Sequence, residues 1–332
     1  MLREPSLGPA RRVLGAVLAL VVVGSSLAGC RAERTGAAER PAVAECATPR
    51  PSDDGTSDHS VVVDGRDRSY EVHVPPGYDG RKRLPVVVLF HGFGGDASTF
   101  LASTRMADVA DAHDFLVVVP QATGLPSRWD YRGTQANAEG DLPMVHDLVR
   151  QVRRDWCTDP SRYYAMGFSN GSVLTLTLAC DPHRDFAAFG AVSGPWYPTR
   201  CRDLRSVPIA YLHGTADRVA PYGGGPTKIG RLPGVDAALD RWVAHDGCVP
   251  TPRREQVASR IVERRWSGCG EGVEIRAFDV RGGGHAWPGG DPAIGTARQR
   301  RVRGLMTQEI HGSQLLWTFV SQFRLPRGDG GA

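Results

Sequence analysis

From about residue 59 the chain alternates continuous apolar runs with amphipathic stretches. Pro85 to Phe90, Phe115 to Val119, Tyr163 to Met166, Ala187 to Val192 and Pro208 to Leu212 are apolar throughout, the pattern of strands buried on both faces of a parallel sheet. Thr99 to Ala112, Leu142 to Trp156 and Val173 to Cys180 lie between them and are expected to be helices, so the order is repeatedly strand, helix, strand. Val173, Thr175 and Thr177 are β-branched, and that last helix is assigned from its position rather than from propensity. Val61 to Val63 and Tyr70 to Val74 flank Asp64-Gly65, a hairpin signal for an antiparallel edge. Val235, Leu239 and Trp242 recur at helical spacing before Gly247, as do Leu315 or Leu316, Phe319 and Phe323 near the end, and both stripes face a core. The expected fold class is α/β, a mostly parallel central sheet with helices on both faces, with no internal repeat.

Upstream the pattern differs. Arg3, Arg11 and Arg12 form a positive start, Val13 to Val23 is an apolar run too short to span a bilayer comfortably, and Leu27-Ala28-Gly29-Cys30 follows. This reads as a processing signal over residues 1–29. The tetrapeptide resembles the lipobox of bacterial lipoproteins, which implies a lipidated Cys30 that holds the protein at a membrane surface. Arg11-Arg12 raises the twin-arginine route, whereas disulfides favour export before folding. Residues 30–58 are rich in Ala, Glu, Arg, Pro, Ser and Asp with little apolar content, the composition of a flexible tether. A single folded domain is expected over 59–325, and residues 326–332 as a disordered tail.

Composition adds the compartment. Of seven cysteines, six remain beside Cys30: Cys46, Cys157, Cys180, Cys201, Cys248 and Cys269. An even number in an exported chain suggests three disulfides. Fifteen pairings exist for six cysteines; locality favours Cys248 with Cys269 and Cys180 with Cys201, which leaves Cys46 for Cys157. No Cys-x-x-Cys pair occurs, which argues against a zinc or thioredoxin-like site, and neither a metal nor a cofactor is expected. Loss of the signal, with three arginines and one glutamate, takes the formal charge from +4 to +2. A near-neutral globule needs no nucleic-acid partner, and Arg298, Arg300, Arg301 and Arg303 are read as a solvated loop. Through Cys30 the expected partner is a membrane; the oligomeric state is not legible.

The candidate chemistry centres on Gly167-Phe168-Ser169-Asn170-Gly171. This G-x-S-x-G stretch lies between a strand and a helix, the context in which a sharp turn presents a serine hydroxyl at the strand tip. A serine hydroxyl needs a base to take its proton, and an imidazole needs an anion to fix its tautomer. In the chain order serine, acid, histidine, Asp217 in His213-Gly214-Thr215-Ala216-Asp217 follows a buried strand, and His285 lies in the glycine-rich segment Gly282 to Gly290. Asp203 and Asp236 are the alternative acids, but neither directly follows a strong strand. His91 and His213, each in a His-Gly pair at a strand end, are read as loop braces, and His245 and His311 as surface or boundary residues. Charge on a tetrahedral oxygen requires fixed donors. The amide of Asn170 is the first; the second is expected from the His91-Gly92-Phe93-Gly94-Gly95 loop, with Phe93 chosen ahead of Gly94. Trp287 and Tyr222 are candidate substrate-binding residues, with core filling as the alternative.

Taken together, Gly-Phe-Ser-Asn-Gly at 167–171, His-Gly-Thr-Ala-Asp at 213–217 with Pro221-Tyr222, and Gly-Gly-Gly-His-Ala-Trp-Pro-Gly-Gly at 282–290 resemble the polyhydroxybutyrate depolymerase-like secreted esterases, relatives of feruloyl and acetylxylan esterases. The resemblance runs from about Ser60 to about Phe323. It implies an α/β-hydrolase fold, a metal-free Ser-Asp-His triad and hydrolysis of carboxylic esters through an acyl-enzyme. Two departures matter. Polymer depolymerases of this kind commonly append a substrate-binding module, which is not expected after the last helix here. The tannase-like branch places cysteines beside its serine and histidine, whereas the neighbours here are Phe168, Asn170, Gly284 and Ala286. The expected function is therefore an extracytoplasmic, lipid-anchored serine esterase on hydroxyalkanoate-oligomer, feruloyl, acetyl or short-chain esters. The competing readings are a peptidase or acyltransferase on the same fold and a non-catalytic surface-binding lipoprotein.

Overall fold

Ten strands form one twisted sheet whose order places three serially distant loops at a common edge. The computed structural model describes residues 45–132, 140–199, 201 and 205–326. An antiparallel hairpin, β1 (Gly55–Val63) and β2 (Arg66–Val74), begins the sheet, and its turn carries Asp64 and Gly65 at positive φ. The following strands are β3 (Leu84–Phe90), β4 (Leu116–Pro120), β5 (Thr158–Phe168), β6 (Ala188–Val192) and β7 (Ile209–Gly214). After a small two-stranded ribbon, β8 (Gly225–Thr227) with β9 (Gly230–Leu232), come β10 (Arg253–Ala258), β11 (Ile261–Trp266) and β12 (Ile275–Val280). The large sheet runs β1-β2-β4-β3-β5-β6-β7-β12-β11-β10. Its centre, β4 through β12, is parallel, and the two margins are antiparallel.

Seven helices connect these strands among the described residues: α1 (Ala97–Thr104), α2 (Met106–His113), α3 (Leu142–Asp155), α4 (Asn170–Leu178), α5 (Val235–His245), α6 (Ala297–Arg303) and α7 (Gly312–Val320). Successive residues of a strand point to opposite faces, and the core divides accordingly. Val86, Val88 and Phe90 of β3 pack with α3, α4 and α5 in one cluster, whereas Val87 and Leu89 pack with α1, α2 and α7 in the other. Hence both faces of the sheet are covered, as the continuous apolar runs require.

Several expectations are corrected. The helix expected over Thr99–Ala112 is two helices, because Arg105 takes a left-handed conformation (φ 55°, ψ 30°) and ends α1 before α2 begins. The tether expected over 30–58 is ordered from Glu45. Glu45 bridges to Lys82, the Arg50 amide donates to the Gly80 carbonyl at 2.9 Å, and β1 starts at Gly55. A disulfide and backbone hydrogen bonds hold this segment, so its low apolar content does not decide its order. The basic cluster lies on α6, a short exposed helix, where Arg300 and Arg303 donate to carbonyls of residues 292–295. Cys30, the signal segment, Asp203 and residues 327–332 lie outside the described residues. The cysteines pair Cys46–Cys157, Cys180–Cys201 and Cys248–Cys269, which fits an oxidising, extracytoplasmic compartment. No helix among the described residues is long and apolar enough to cross a membrane.

Candidate active site

Ser169 stands between β5 and α4 with φ 54° and ψ −116°, a backbone conformation that a non-glycine residue holds only where its surroundings over-determine it. The neighbours do so. A Cβ on Gly167 would lie 2.3 Å from the Gly171 carbonyl oxygen, and a Cβ on Gly171 would lie 2.2 Å from that of Phe90. Only glycines let the strand, the turn and the helix approach this closely. The Ser169 amide donates to the Val192 carbonyl at 2.8 Å, and its carbonyl accepts the Val173 amide at 3.1 Å. With the backbone anchored at both ends, the hydroxyl is left at the tip.

His285 and Asp217 arrive from adjacent parallel strands. In the β7–β12 register His213 pairs with Asp279 and Gly214 with Val280, so the loops beyond these ends run side by side. They are laced together: the Thr215 amide donates to the Val280 carbonyl at 2.9 Å, the Ala216 amide to that of Gly283 at 2.8 Å, and the Gly282 amide to Thr215 Oγ1 at 2.9 Å. His285 Nε2 is 2.9 Å from Ser169 Oγ, and its Nδ1 is 2.7 Å from Asp217 Oδ2. Asp217 is fully enclosed, and its Oδ1 accepts the Val219 and Ala220 amides, both at 2.8 Å. Burial pushes its carboxyl up, but the hydrogen bond and charge of His285 with the Ala220 amide outweigh it, and the group sits below its ordinary value. Asp217 is therefore held as the anion.

Two histidines brace this arrangement. His213 donates from Nε2 to the Ala220 carbonyl at 2.8 Å and accepts the Tyr211 hydroxyl at Nδ1, 2.6 Å away. Burial lowers its pKa to about 4, so it stays neutral although Nε2 lies 3.5 Å from Asp217 Oδ2. His91 donates from Nδ1 to the Gly92 carbonyl at 2.8 Å and accepts the Ala122 amide at Nε2; burial lowers its pKa too. Both therefore hold loops rather than charge.

The donors around Ser169 come from the start of α4 and from the loop after β3. The first amides of a helix have no intrahelical acceptor, and Asn170 is the first residue of α4. Its side chain clamps the Trp129 backbone from both sides: Oδ1 accepts the Trp129 amide at 2.7 Å and Nδ2 donates to the Trp129 carbonyl at 3.2 Å. In the other loop the Gly94 amide is committed to the Ser127 carbonyl at 2.7 Å. Gly92 brings that loop against the elbow, where an added Cβ would stand 3.3 Å from Ser169 Cβ.

Trp287 is not a pocket wall. It is only 4% exposed, its Nε1 donates to Ser313 Oγ at 3.0 Å, and Phe100 packs edge-on against it; the expectation of a substrate contact is corrected to a core role. The Tyr222 hydroxyl is committed to Asp279 at 2.8 Å. The buried Arg264 ties this pair to Asp236, donating to Tyr222 at 2.9 Å, Asp279 at 2.9 Å and Asp236 at 2.7 Å. Asp236, an alternative acid in the sequence, thus belongs to a network bracing β11, β12 and α5. Sequence reasoning missed Trp129, Tyr211 and Arg264, because their partners are fixed by register and loop packing rather than by spacing.

A mostly parallel sheet with helices on both faces, carrying a strand–serine–helix turn and two strand-end loops that converge on it, is the architecture of the α/β-hydrolase esterases, and the chain is a carboxylic ester hydrolase of this class. Residues 68–244 match the family model described as Esterase PHB depolymerase, and the chain belongs to that family. It is 28% identical to a protein named putative esterase NocK of Nocardia uniformis subsp. tsuyamanensis, over 86% of this chain and 94% of the relative. It is 24% identical to feruloyl esterase B of Piromyces equi over 78% of this chain but 46% of that protein. Among solved structures, acetyl xylan esterase from Aspergillus awamori has the same fold, with a TM-score of 0.55 at 17% identity, covering 69% of this chain and 94% of the other.

Proposed function

We propose that this chain is an extracytoplasmic serine esterase, anchored by lipid on Cys30 after removal of residues 1–29, that hydrolyses its substrate through Ser169, His285 and Asp217. The observation that carries the reading is the continuous path from Ser169 Oγ to His285 Nε2 at 2.9 Å and from His285 Nδ1 to Asp217 Oδ2 at 2.7 Å. With Nδ1–H donating to the carboxylate, Nε2 is the free base. As Oγ attacks the ester carbonyl carbon, its proton passes to Nε2, and Asp217 stabilises the imidazolium. The amides of Asn170 and Phe93 hold the tetrahedral oxyanion, and loss of one such donor costs about 2.7–4 kcal/mol. Collapse expels the alcohol, which takes the proton from Nε2 and leaves an acyl-serine. Water then attacks with Nε2 again as base, and the carboxylic acid leaves as Oγ recovers its proton. These side chains carry the whole proton cycle themselves.

For the substrate, the family and the relatives named as feruloyl and acetyl xylan esterases support hydroxyalkanoate-oligomer, feruloyl, acetyl or short-chain esters. The test is turnover of nitrophenyl short-chain, hydroxybutyrate-oligomer and feruloyl esters by the wild type and Ser169→Ala, with fluorophosphonate labelling alongside. Both signals should vanish in the variant; hydrolysis at the wild-type rate would remove Ser169 from the mechanism. Cys30→Ser should move the protein out of the membrane fraction. Unchanged membrane association, with no lipid on the wild type by mass spectrometry, would remove the anchor.

A further inference from the structure

We infer that His146, Asp181 and His183 form a binding site for a zinc-class divalent metal ion, at the end of α4 remote from Ser169. His146 projects from α3; Asp181 and His183 lie in the segment Asp181-Pro182-His183-Arg184-Asp185 that follows α4. One ligand atom from each lies within 4.8 Å of the other two. His146 Nε2 is 3.2 Å from Asp181 Oδ2, and His183 Nδ1 is 2.9 Å from Asp181 Oδ1. Two ligand atoms on a tetrahedral zinc, each about 2.0–2.1 Å from the ion, stand roughly 3.3 Å apart. The His146–Asp181 pair therefore already has the separation of one edge of that tetrahedron.

The surrounding contacts suit an ion. Asp185 Oδ2 accepts the His146 Nδ1 proton at 2.7 Å, and Nε2 faces Asp181 Oδ2 at 3.2 Å, where an incoming ion takes the place of the Nε2 proton. A carboxylate behind the imidazole in this way orients metal-ligating histidines and raises their basicity. Asp185 is itself held by Arg153 at 3.3 Å. Asp181 Oδ1 accepts the His183 amide at 2.9 Å, so Oδ2, which faces His146 Nε2, is the oxygen that would meet the ion. His146 and Asp181 are rigid, with side chains 7% and 6% exposed, while His183 is 58% exposed and its ring lies on that of His146 at 3.9 Å. Rotation of an exposed ring brings its nitrogen to the ion without opening the core. Two imidazoles and one carboxylate select zinc-like ions over magnesium or calcium, with water at the fourth position.

An ion here would tie the end of α4 to α3. Because α4 is nine residues long, about 13 Å at 1.5 Å per residue, the ion stands clear of Ser169 and acts on stability rather than on hydrolysis. The inference is independent of the catalytic reading. Its test uses the untagged full chain, freed of metal with EDTA and titrated with ZnCl₂ by calorimetry and thermal melting, with CaCl₂ as the hard-cation control. The expected result is one equivalent of zinc, a Tm raised by several degrees, no response to calcium and an unchanged rate of ester hydrolysis. His183→Ala, at an exposed position that leaves the fold intact, should weaken zinc binding at least tenfold, and Asp185→Asn by about 10- to 100-fold. No binding up to about 1 mM zinc, a ΔG weaker than roughly −4 kcal/mol, would overturn the site. So would unchanged affinity in His183→Ala.

Discussion

Asp217 meets His285 through one carboxylate oxygen at 2.7 Å, while its other oxygen accepts two backbone amides, those of Val219 and Ala220. This division of labour decides what Asp217→Asn does. The single amide oxygen of asparagine must face the two backbone donors, so its NH₂ group turns toward His285 Nδ1. Nδ1 then becomes an acceptor, the proton moves to Nε2, and the imidazole can no longer take the Ser169 proton. Turnover of a short-chain ester should fall by on the order of 10⁴-fold with the fold retained, as for the chymotrypsin-type template. Since the members act as a unit, combining it with His285→Ala should cost little more than His285→Ala alone. Losses that multiplied would mean that the two side chains act independently.

Gly171 and Phe90 supply the second prediction. The methyl of Gly171→Ala would stand 2.2 Å from the Phe90 carbonyl oxygen and 2.6 Å from that of His91, and both are backbone atoms that cannot rotate away. Either α4 or the end of β3 must retreat. Overpacking of this kind costs about 1–3 kcal/mol, and the retreat also separates the Asn170 and Phe93 amides. Melting temperature and kcat/KM should fall together, with kcat/KM falling further than the stability loss alone explains. A variant with wild-type kinetics would contradict the close approach of β3 and α4.

The site was legible where a local rule fixes it, and illegible where register or distant packing does. The G-x-S-x-G turn, the strand-end Asp217 and the glycine-rich segment around His285 each follow from chemistry within a few residues, and the structure brings the three side chains together. The helix break at Arg105 carries no such signal, since arginine has no preference for the left-handed region it occupies there. Trp287 reads equally as a pocket wall or as core until Phe100 and Ser313, far away in sequence, close around it. Arg264 lies on a strand whose pairing with β12 places it beside Asp279 and Tyr222, a relationship that no spacing encodes. The order of residues 45–54 rests on one disulfide and on hydrogen bonds to residues 80–82, partners that the local composition does not show.

That disulfide, Cys46–Cys157, spans 111 residues, against 21 for Cys180–Cys201. In the chain-entropy account a longer loop loses more freedom in the unfolded state, about 4.7 kcal/mol for a 100-residue loop against about 3 for a 15-residue one. Replacing both Cys46 and Cys157 by serine should therefore destabilise the protein by about 2–5 kcal/mol, more than the same change at Cys180 and Cys201. Denaturant midpoints of the two double variants test the order. Limited proteolysis should cut the first variant within residues 45–54, ahead of β1, because Glu45 and Arg50 then keep only their hydrogen bonds. Resistance equal to that of the wild type would show that those bonds suffice.

Asp246, at the end of α5, gives a pH dependence with a definite sign. It is 1% exposed; Oδ1 accepts the Val207 amide at 3.1 Å, and Oδ2 has no hydrogen-bond partner among the described residues. Burial pushes its pKa up to about 7, the Val207 amide opposes this, and the charge of Glu271 adds to it; His245 Nε2 lies 3.9 Å from Oδ1. The folded state thus binds this proton more tightly than the unfolded chain, where an aspartate titrates near 3.9. Its stabilising contribution is complete below that unfolded value and is lost as pH rises through about 7. Asp246→Asn keeps the acceptor for Val207 and removes the charge, so the variant should match or fall slightly below the wild type at pH 4. At pH 8 it should be the more stable by on the order of 2 kcal/mol, since no ionised group is then buried. Melting curves of both proteins across this range decide it: a stability difference that does not change with pH would mean that Asp246 ionises alike in the folded and unfolded chain.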